Sequence, residues 1–243
     1  MSSSNPGQQP SHSLVEAFRE MAARLHSSED YEDTLARISS TAVQAIPGVD
    51  AASISTIEDG RPVSHGVTDP LAGRGDAIQY EEGEGPCLDA AMRERWIYIP
   101  DMEQTRRWPT SARRLVEEAG VRSMLSCRLA LEAAPTQTLG GLNMYARTPD
   151  AFSPDDQMLA ILLSSLGAVV VDASKQQAHL RAAIESRQVI GEAIGILRAQ
   201  GDVDRDQAFA MLSRASQRMN VKLRDLARQI ADGSRSGRMT SSP

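Results

Sequence analysis

Residues 186–200 read SRQVIGEAIGILRAQ, an apolar helical run interrupted by Gly191 and Gly195. An interior glycine costs a helix about 0.5–1 kcal/mol against alanine. Two of them four residues apart share a face and leave a bare strip of backbone. Something has to come close to that strip, either another helix of the chain or a ligand. Arg187 precedes Gly191 by one turn and Arg198 follows Gly195 within the next, so basic side chains border it.

Two short helices follow. Asp204 is placed to cap the first, with Gln207 in the capping-box position, and Phe209, Leu212, Ser216 and Met219 read as one stripe. Asn220 reads as the cap of the second, VKLRDLARQIAD, whose apolar face is Leu223, Leu226, Ala227 and Ile230 before Gly233 ends it. Phe209 is expected in the core rather than as a stacking platform. The spacing therefore predicts an all-α three-helix bundle over 186–233 and a disordered tail over 234–243.

Upstream of the bundle, an apolar helix opens after AFSPDDQ, where Ser153 can cap and Pro154 takes the first helical position. It meets no stop signal through the glycine pair. Leu159, Leu162, Leu166, Val169, Ala173, Gln176, Leu180, Ala183, Arg187, Ile190, Ile194 and Leu197 fall on a and d positions of continuous heptads. Such a seam predicts a coiled-coil linker helix over 157–185 that makes the protein a homodimer. The alternative is a single long helix packed on its own domain.

The remainder reads as an α+β domain over 14–156, behind a Ser, Gln and Pro-rich leader, 1–13, expected to be disordered. Leu14, Phe18, Met21 and Leu25 share one helical face. Leu35, Ile38, Ala42 and Ile46 share another, which Pro47 and Gly48 stop. AASISTIEDGRPVSHGV alternates about an Asp59-Gly60 turn, a hairpin signal. WIYIPD (96–101), RSMLSCRLAL (122–131) and LGGLNMYA (139–146) are further strands, and SARRLVEEAG (111–120) is a helix between two of them. The expected sheet is mainly antiparallel.

Composition narrows the function. Apolar residues make up 41% and charged residues 24%, as in a globular protein with a real core. No apolar run reaches a membrane-spanning length and the N-terminus lacks a signal-peptide pattern, so a cytoplasmic location is expected. The four histidines and two cysteines are scattered, no metal site is expected, and phosphate-loop, dinucleotide and serine-elbow motifs are absent. The charge is uneven. Residues 1–174 carry 14 basic and 25 acidic side chains, net −11, whereas 175–243 carry 12 and 7, net +5. A basic tail on an acidic body suits a polyanionic partner, although a solvated helical face would look the same.

The tail closely resembles the ANTAR family, three-helix RNA-binding modules of bacterial transcription antiterminators. The resemblance rests on AIGIL (193–197), AF (208–209), SQ (216–217), Asn220 and KLRDLA (222–227), in that order. Ile194 and Ser213 stand where the family often has lysine and arginine. The first part resembles a GAF sensory domain through QYEEGEGPCLDA (79–90), IYIPDM (97–102), RRWP (106–109), GVRSMLSCRL (120–129) and LGGLNMYARTPDAFSPDD (139–156). The whole is similar to GAF-ANTAR regulators. The resemblance implies a non-enzymatic, signal-responsive antitermination regulator: an unidentified small-molecule ligand on the GAF domain, paired RNA stem-loops on a dimeric ANTAR module, and RNA polymerase as an indirect partner. No cofactor is assigned.

The RNA-binding candidates are Arg187, Gly191, Ala193, Gly195, Arg198, Arg214, Ser216, Gln217, Lys222 and Arg224. Small residues let a base or sugar–phosphate approach the backbone, while arginines pair with phosphates or stack on splayed bases. Lys222 and Arg224 open a helix against its dipole, which suits a partner better than the helix. Cys87, just before a helix, is a candidate redox thiol or else a small buried side chain. Two other functions stay open. The last two helices could form a DNA-reading helix-turn-helix using Arg224 and Arg228. An enzyme reducing methionine sulfoxide, as some GAF proteins do, would need more clustered cysteines than Cys87 and Cys127.

Overall fold

The computed structural model describes residues 16, 18–20, 22–25, 30–92, 94–131 and 138–239, the last six by backbone alone. The 1–13 leader and residues 240–243 lie outside them. The chain divides into two compact units, Met1–Lys175 and Gln176–Pro243.

In the first unit the elements run α1 (described helical residues 16, 18–20 and 22–25), α2 (Tyr31–Ala45), β1 (Ala51–Glu58), β2 (Arg61–His65), α3 (Pro70–Glu82), α4 (Pro86–Met92), β3 (Trp96–Ile99), α5 (Pro109–Arg114), a π-helical turn (Leu115–Ala119), β4 (Ser123–Ala130) and β5 (Thr138–Ala146). The five strands form one sheet in the order β2-β1-β5-β4-β3, and every pair is antiparallel. The Asp59-Gly60 hairpin is as expected. Both residues have positive φ, 48° and 78°, and Glu58 pairs with Arg61 across the turn.

The sheet is covered on both faces, and the period of two in each strand sorts its residues between two cores. Ala52 and Ile54 of β1, Leu125, Cys127 and Leu129 of β4, and Leu142 and Met144 of β5 enter one core with Leu35, Ile38, Ala42 and Ile46 of α2. Ala51, Met124 and Tyr145 enter the other, with Ile78, Cys87, Ala90 and Leu115 from the opposite layer of helices. Helix α3 was not expected from the sequence. Its buried face includes Asp76 and Gln79, and Gly75 lies where a Cβ would run into the Tyr145 ring. Apolar periodicity is therefore nearly missing, although Asp69 caps it by accepting from Leu71 N at 2.9 Å.

Helix α6 (Pro154–Gly201) crosses the unit boundary. It starts with the expected cap: Asp156 N donates to Ser153 Oγ at 3.2 Å, and Asp156 Oδ2 accepts from Ser153 N at 2.9 Å. Two expectations change here. Leu159, Ala160, Leu163, Ala168 and Val171 are buried against the sheet, so one face of the proposed linker helix serves its own domain. The helix also contains an 18-residue window apolar enough, by length and composition, to cross a membrane, and 44% of that window is buried.

The second unit holds the second half of α6, from Gln176, with α7 (Arg205–Met219) and α8 (Leu223–Met239). The Asp204–Gln207 capping box is complete, with Gln207 N to Asp204 Oδ1 at 2.8 Å and Asp204 N to Gln207 Oε1 at 3.1 Å. Helix α8 continues through Gly233 to Met239, where a helix end at 233 and a disordered tail were expected.

Candidate nucleic-acid interface

The three helices close around Ala193, Leu212, Leu226 and Ala227, with Val189, Ile190, Leu197, Ala215, Leu223 and Ile230 packed against them. This core decides which residues remain for a partner. Ala193 is fully buried in it and leaves the list of surface contacts. At 100° per residue, the buried face of α6 turns Arg187, Gly191, Gly195 and Arg198 outward, within an arc of about 80°. All four are exposed. A Cβ built on Gly191 or Gly195 would meet nothing within 4 Å. Among the described residues the bare strip is therefore open, and no described helix closes on it.

The remaining candidates separate into two groups. Arg214 and Gln217 are exposed one turn apart on α7 and, with Arg218, line a shallow hollow of about 360 Å³. Lys222 and Arg224 are exposed at the start of α8, where Lys222 O accepts from Asp225 N and Leu226 N at 2.9 and 3.1 Å. Arg224 lies 3.5 Å from Asp225. Ser216 has a structural duty instead: its Oγ donates to Val221 O at 2.6 Å and closes the α7–α8 turn. Asn220 is not the cap of α8. It ends α7 in the left-handed region, φ 52° and ψ 39°, a conformation asparagine tolerates.

Phe209 overturns its expectation. The buried positions of α7 are Ala208 and Leu212, so the buried face shares Leu212 with the stripe read from the sequence but is turned toward Ala208 and Ala215, leaving Phe209 46% exposed and Met219 58%. The signal was present in the small Ala208 beside the bulky Phe209, but periodicity alone does not choose between adjacent positions.

A GAF domain model matches residues 28–172 and an ANTAR domain model residues 178–230. The chain belongs to the GAF-ANTAR family. Its GAF domain is similar in fold to the GAF domain from a phosphoenolpyruvate-protein phosphotransferase of Coxiella burnetii, at 17% identity and TM-score 0.54, covering 69% of this chain and 98% of that one. It is similar also to a free methionine-R-sulfoxide reductase from Neisseria meningitidis solved with its substrate, at 15% identity and TM-score 0.54, covering 72% and 96%. The Stigmatella aurantiaca phytochrome photosensory core module aligns at 12% identity and TM-score 0.56 over 88% of this chain and 47% of that one. A search of curated proteins found no match. GAF and ANTAR domains are typical of regulators, and among the described residues no His, Cys, Asp or Glu cluster could hold a metal ion.

The GAF domain keeps its polar chemistry inside. Tyr145 donates its hydroxyl to Asp76 Oδ1 at 2.5 Å, Asn143 Nδ2 donates to the same oxygen at 3.2 Å, and Ser64 Oγ donates to Oδ2 at 2.7 Å. These partners are all neutral. Burial pushes the Asp76 carboxyl up against the pull of those bonds. Ser126, Ser55 and Tyr80 extend the network through Asn143 and Ser64. Gln79 links it to α4 by accepting from Cys87 N at 2.9 Å. Cys87 has no exposed surface, and burial, followed by the charge of Asp76, raises its thiol well above the ordinary value. The helix start is outweighed, and this is the setting of an inert thiol rather than of a redox sensor.

Proposed function

We propose that the protein is a cytoplasmic, signal-responsive antitermination regulator whose paired ANTAR domains bind adjacent stem-loops of nascent RNA. The observation that carries this reading is the open strip of Gly191 and Gly195 between the exposed Arg187 and Arg198. A glycine pair is costly in a helix and serves no packing within the chain, so a partner that needs close approach accounts for it. Splayed RNA bases suit such a surface, with bare backbone for contact, guanidinium groups for phosphate and the exposed Phe209 ring for stacking. Arg214, Gln217, Lys222 and Arg224 extend the basic surface, whereas Ala193 and Ser216 act within the fold.

Dimerisation follows from the other face of α6. Beside the residues buried on the sheet, Leu162, Leu166, Val169, Ala173, Gln176, Leu180 and Ala183 recur every three or four residues, Leu166 also packing on the domain's core, and Ile184 borders this seam. Val169, Leu180 and Ile184 are 56%, 66% and 63% exposed. A helix with one face in its own core and an apolar seam on the other suits pairing with a second copy. The copies would bring two ANTAR domains to one transcript and make the second contact intramolecular.

Gel shifts with the full chain test the reading. An RNA with two adjacent small stem-loops should bind more tightly than either loop alone. Affinity should fall with salt, with a slope of about 0.7–0.9 per phosphate neutralised. A preference for duplex DNA would favour a helix-turn-helix regulator instead.

A further inference from the structure

The segment joining β3 to α5 is anchored through its last residues. Trp108 has φ 50° and ψ 60°, a left-handed conformation rare for a bulky side chain, directly before Pro109. Its neighbours hold it there. Trp108 Nε1 donates to Asp89 Oδ2 at 2.9 Å, and the Arg107 guanidinium stacks 4.2 Å from the ring centroid while bonding Asp89 and Glu94. Glu84 Oε1 accepts from both Thr110 N and Ser111 N, fixing the direction in which α5 leaves.

With α5 so aimed, Ser111 and Leu115 enter the core, and Pro109, Arg113, Val116 and Glu117 line up along the outer face. Between that face and the 102–106 segment lies a cavity of about 520 Å³, floored by Met102, Pro109, Ala112 and Val116 and rimmed by Arg106 and Arg113. The volume is in the range of small-molecule sites. The two arginines differ from their neighbours. Arg114 bonds Glu81, Glu82 and Glu118, and Arg122 bonds Asp101 and Glu103. Arg106 and Arg113, in a domain rich in carboxylates, bond none among the described residues. Glu103 is already turned to Arg122 at 3.1 Å, which leaves Glu117 as the uncommitted acceptor on the rim.

We propose that this cavity binds a small organic anion, a carboxylate or phosphate ester whose charged group meets Arg106 and Arg113 and whose apolar body lies on Met102, Ala112 and Val116. Guanidinium groups receive such anions through two parallel donors, and the floor rewards a hydrocarbon portion. Glu117, on the same rim, accepts from a hydroxyl or ammonium group where the ligand carries one. The inference rests on reading the GAF domain as the sensor and names the chemistry that it senses.

Calorimetry on the full chain without RNA tests it, with octanoate, octyl phosphate, octylammonium and inorganic phosphate as probes. One saturable site is expected for at least one of the two octyl anions, and the tighter of them identifies the headgroup. Arg106→Ala and Arg113→Ala, both at exposed positions, should each weaken that binding about tenfold, and Arg113→Lys less. Val116→Trp should fill the cavity and abolish it, with the melting curve of each variant checking the fold. Absence of binding by both octyl anions, equal binding by octylammonium or by phosphate alone, or unchanged affinity in both arginine variants would overturn the assignment. Because RNA is absent, such a failure leaves the RNA reading standing, and a failed gel shift leaves the cavity standing.

Discussion

In the GAF domain Arg114 meets three carboxylates, Arg107 meets two, and the buried Asp76 receives three neutral donors. In the ANTAR domain Arg187, Arg198 and Arg214 make no ion pair among the described residues, and two glycines present bare backbone to solvent. The cores differ in the same direction, two extended clusters in one domain and one small cluster around four buried residues in the other. Groups that satisfy one another stabilise a fold and have little left to offer a partner. Unsatisfied cations beside open backbone contribute little to folding and can be neutralised by a polyanion. The contrast supports the proposed RNA recognition by the second domain, with Arg106 and Arg113 the exception in the first.

The largest expected effect comes from the seam common to both units. Leu180→Asp combined with Ile184→Asp places carboxylates at two positions that are 66% and 63% exposed in the single chain, so the fold should survive while the dimer is lost. Sedimentation should report monomers; a persisting dimer would mean that this face is not the interface. Next, Leu212→Ala removes one of the four buried side chains of the ANTAR core, at about 2–5 kcal/mol. Hydrogen exchange should show protection lost over 189–231 and retained in the sheet. Equal loss in both domains would show that they do not fold as separate units.

Tyr145→Phe sharpens the other side of the comparison. It deprives Asp76 of its 2.5 Å donor and leaves Gln79 Nε2 without that acceptor, a cost of about 1–3 kcal/mol in urea unfolding. No change would mean that the network contributes nothing to stability. The smallest effect concerns Glu118, which the hydrogen bonds of Arg114 and then Arg74 hold down to about 2. A carboxyl lowered in the fold contributes stability that is complete above its unfolded value, near 4.5, and is lost as pH falls toward 2. The urea midpoint should therefore drop over that interval, and Glu118→Gln should flatten the drop. An unaltered profile would show that this cluster does not govern acid sensitivity.

These regions were not equally legible in the sequence. Leu35, Ile38, Ala42 and Ile46, the Asp59-Gly60 hairpin and the Asp204–Gln207 capping box were read correctly, because local spacing and turn chemistry specify them. Helix α3 was missed because its inward face carries Asp76 and Gln79, whose partners on β2, β5 and α4 lie outside the helix. In the candidate interface the glycine strip and its bordering arginines were legible from spacing, whereas its openness came only with the packing of the three helices. The burial of Ala193 and the turn-closing bond of Ser216 were not legible, because they depend on α7 and α8. Phe209 was misplaced because the buried face of α7 is turned toward Ala208 and Ala215, and Asn220 by the choice between ending one helix and starting the next. Helix α6 was read with one apolar face and has two, since seam and core residues interleave along its first part.

The central claim is that the Gly191–Gly195 strip receives RNA, and Gly195→Leu tests it most directly. Leucine is a better helix former than glycine and would meet no atom of the chain within 4 Å at its Cβ, so the fold should be kept or slightly stabilised. The account predicts that affinity for the two-loop RNA falls about tenfold or more, with circular dichroism and dimerisation unchanged. Unchanged RNA affinity in a folded, dimeric Gly195→Leu protein would contradict it.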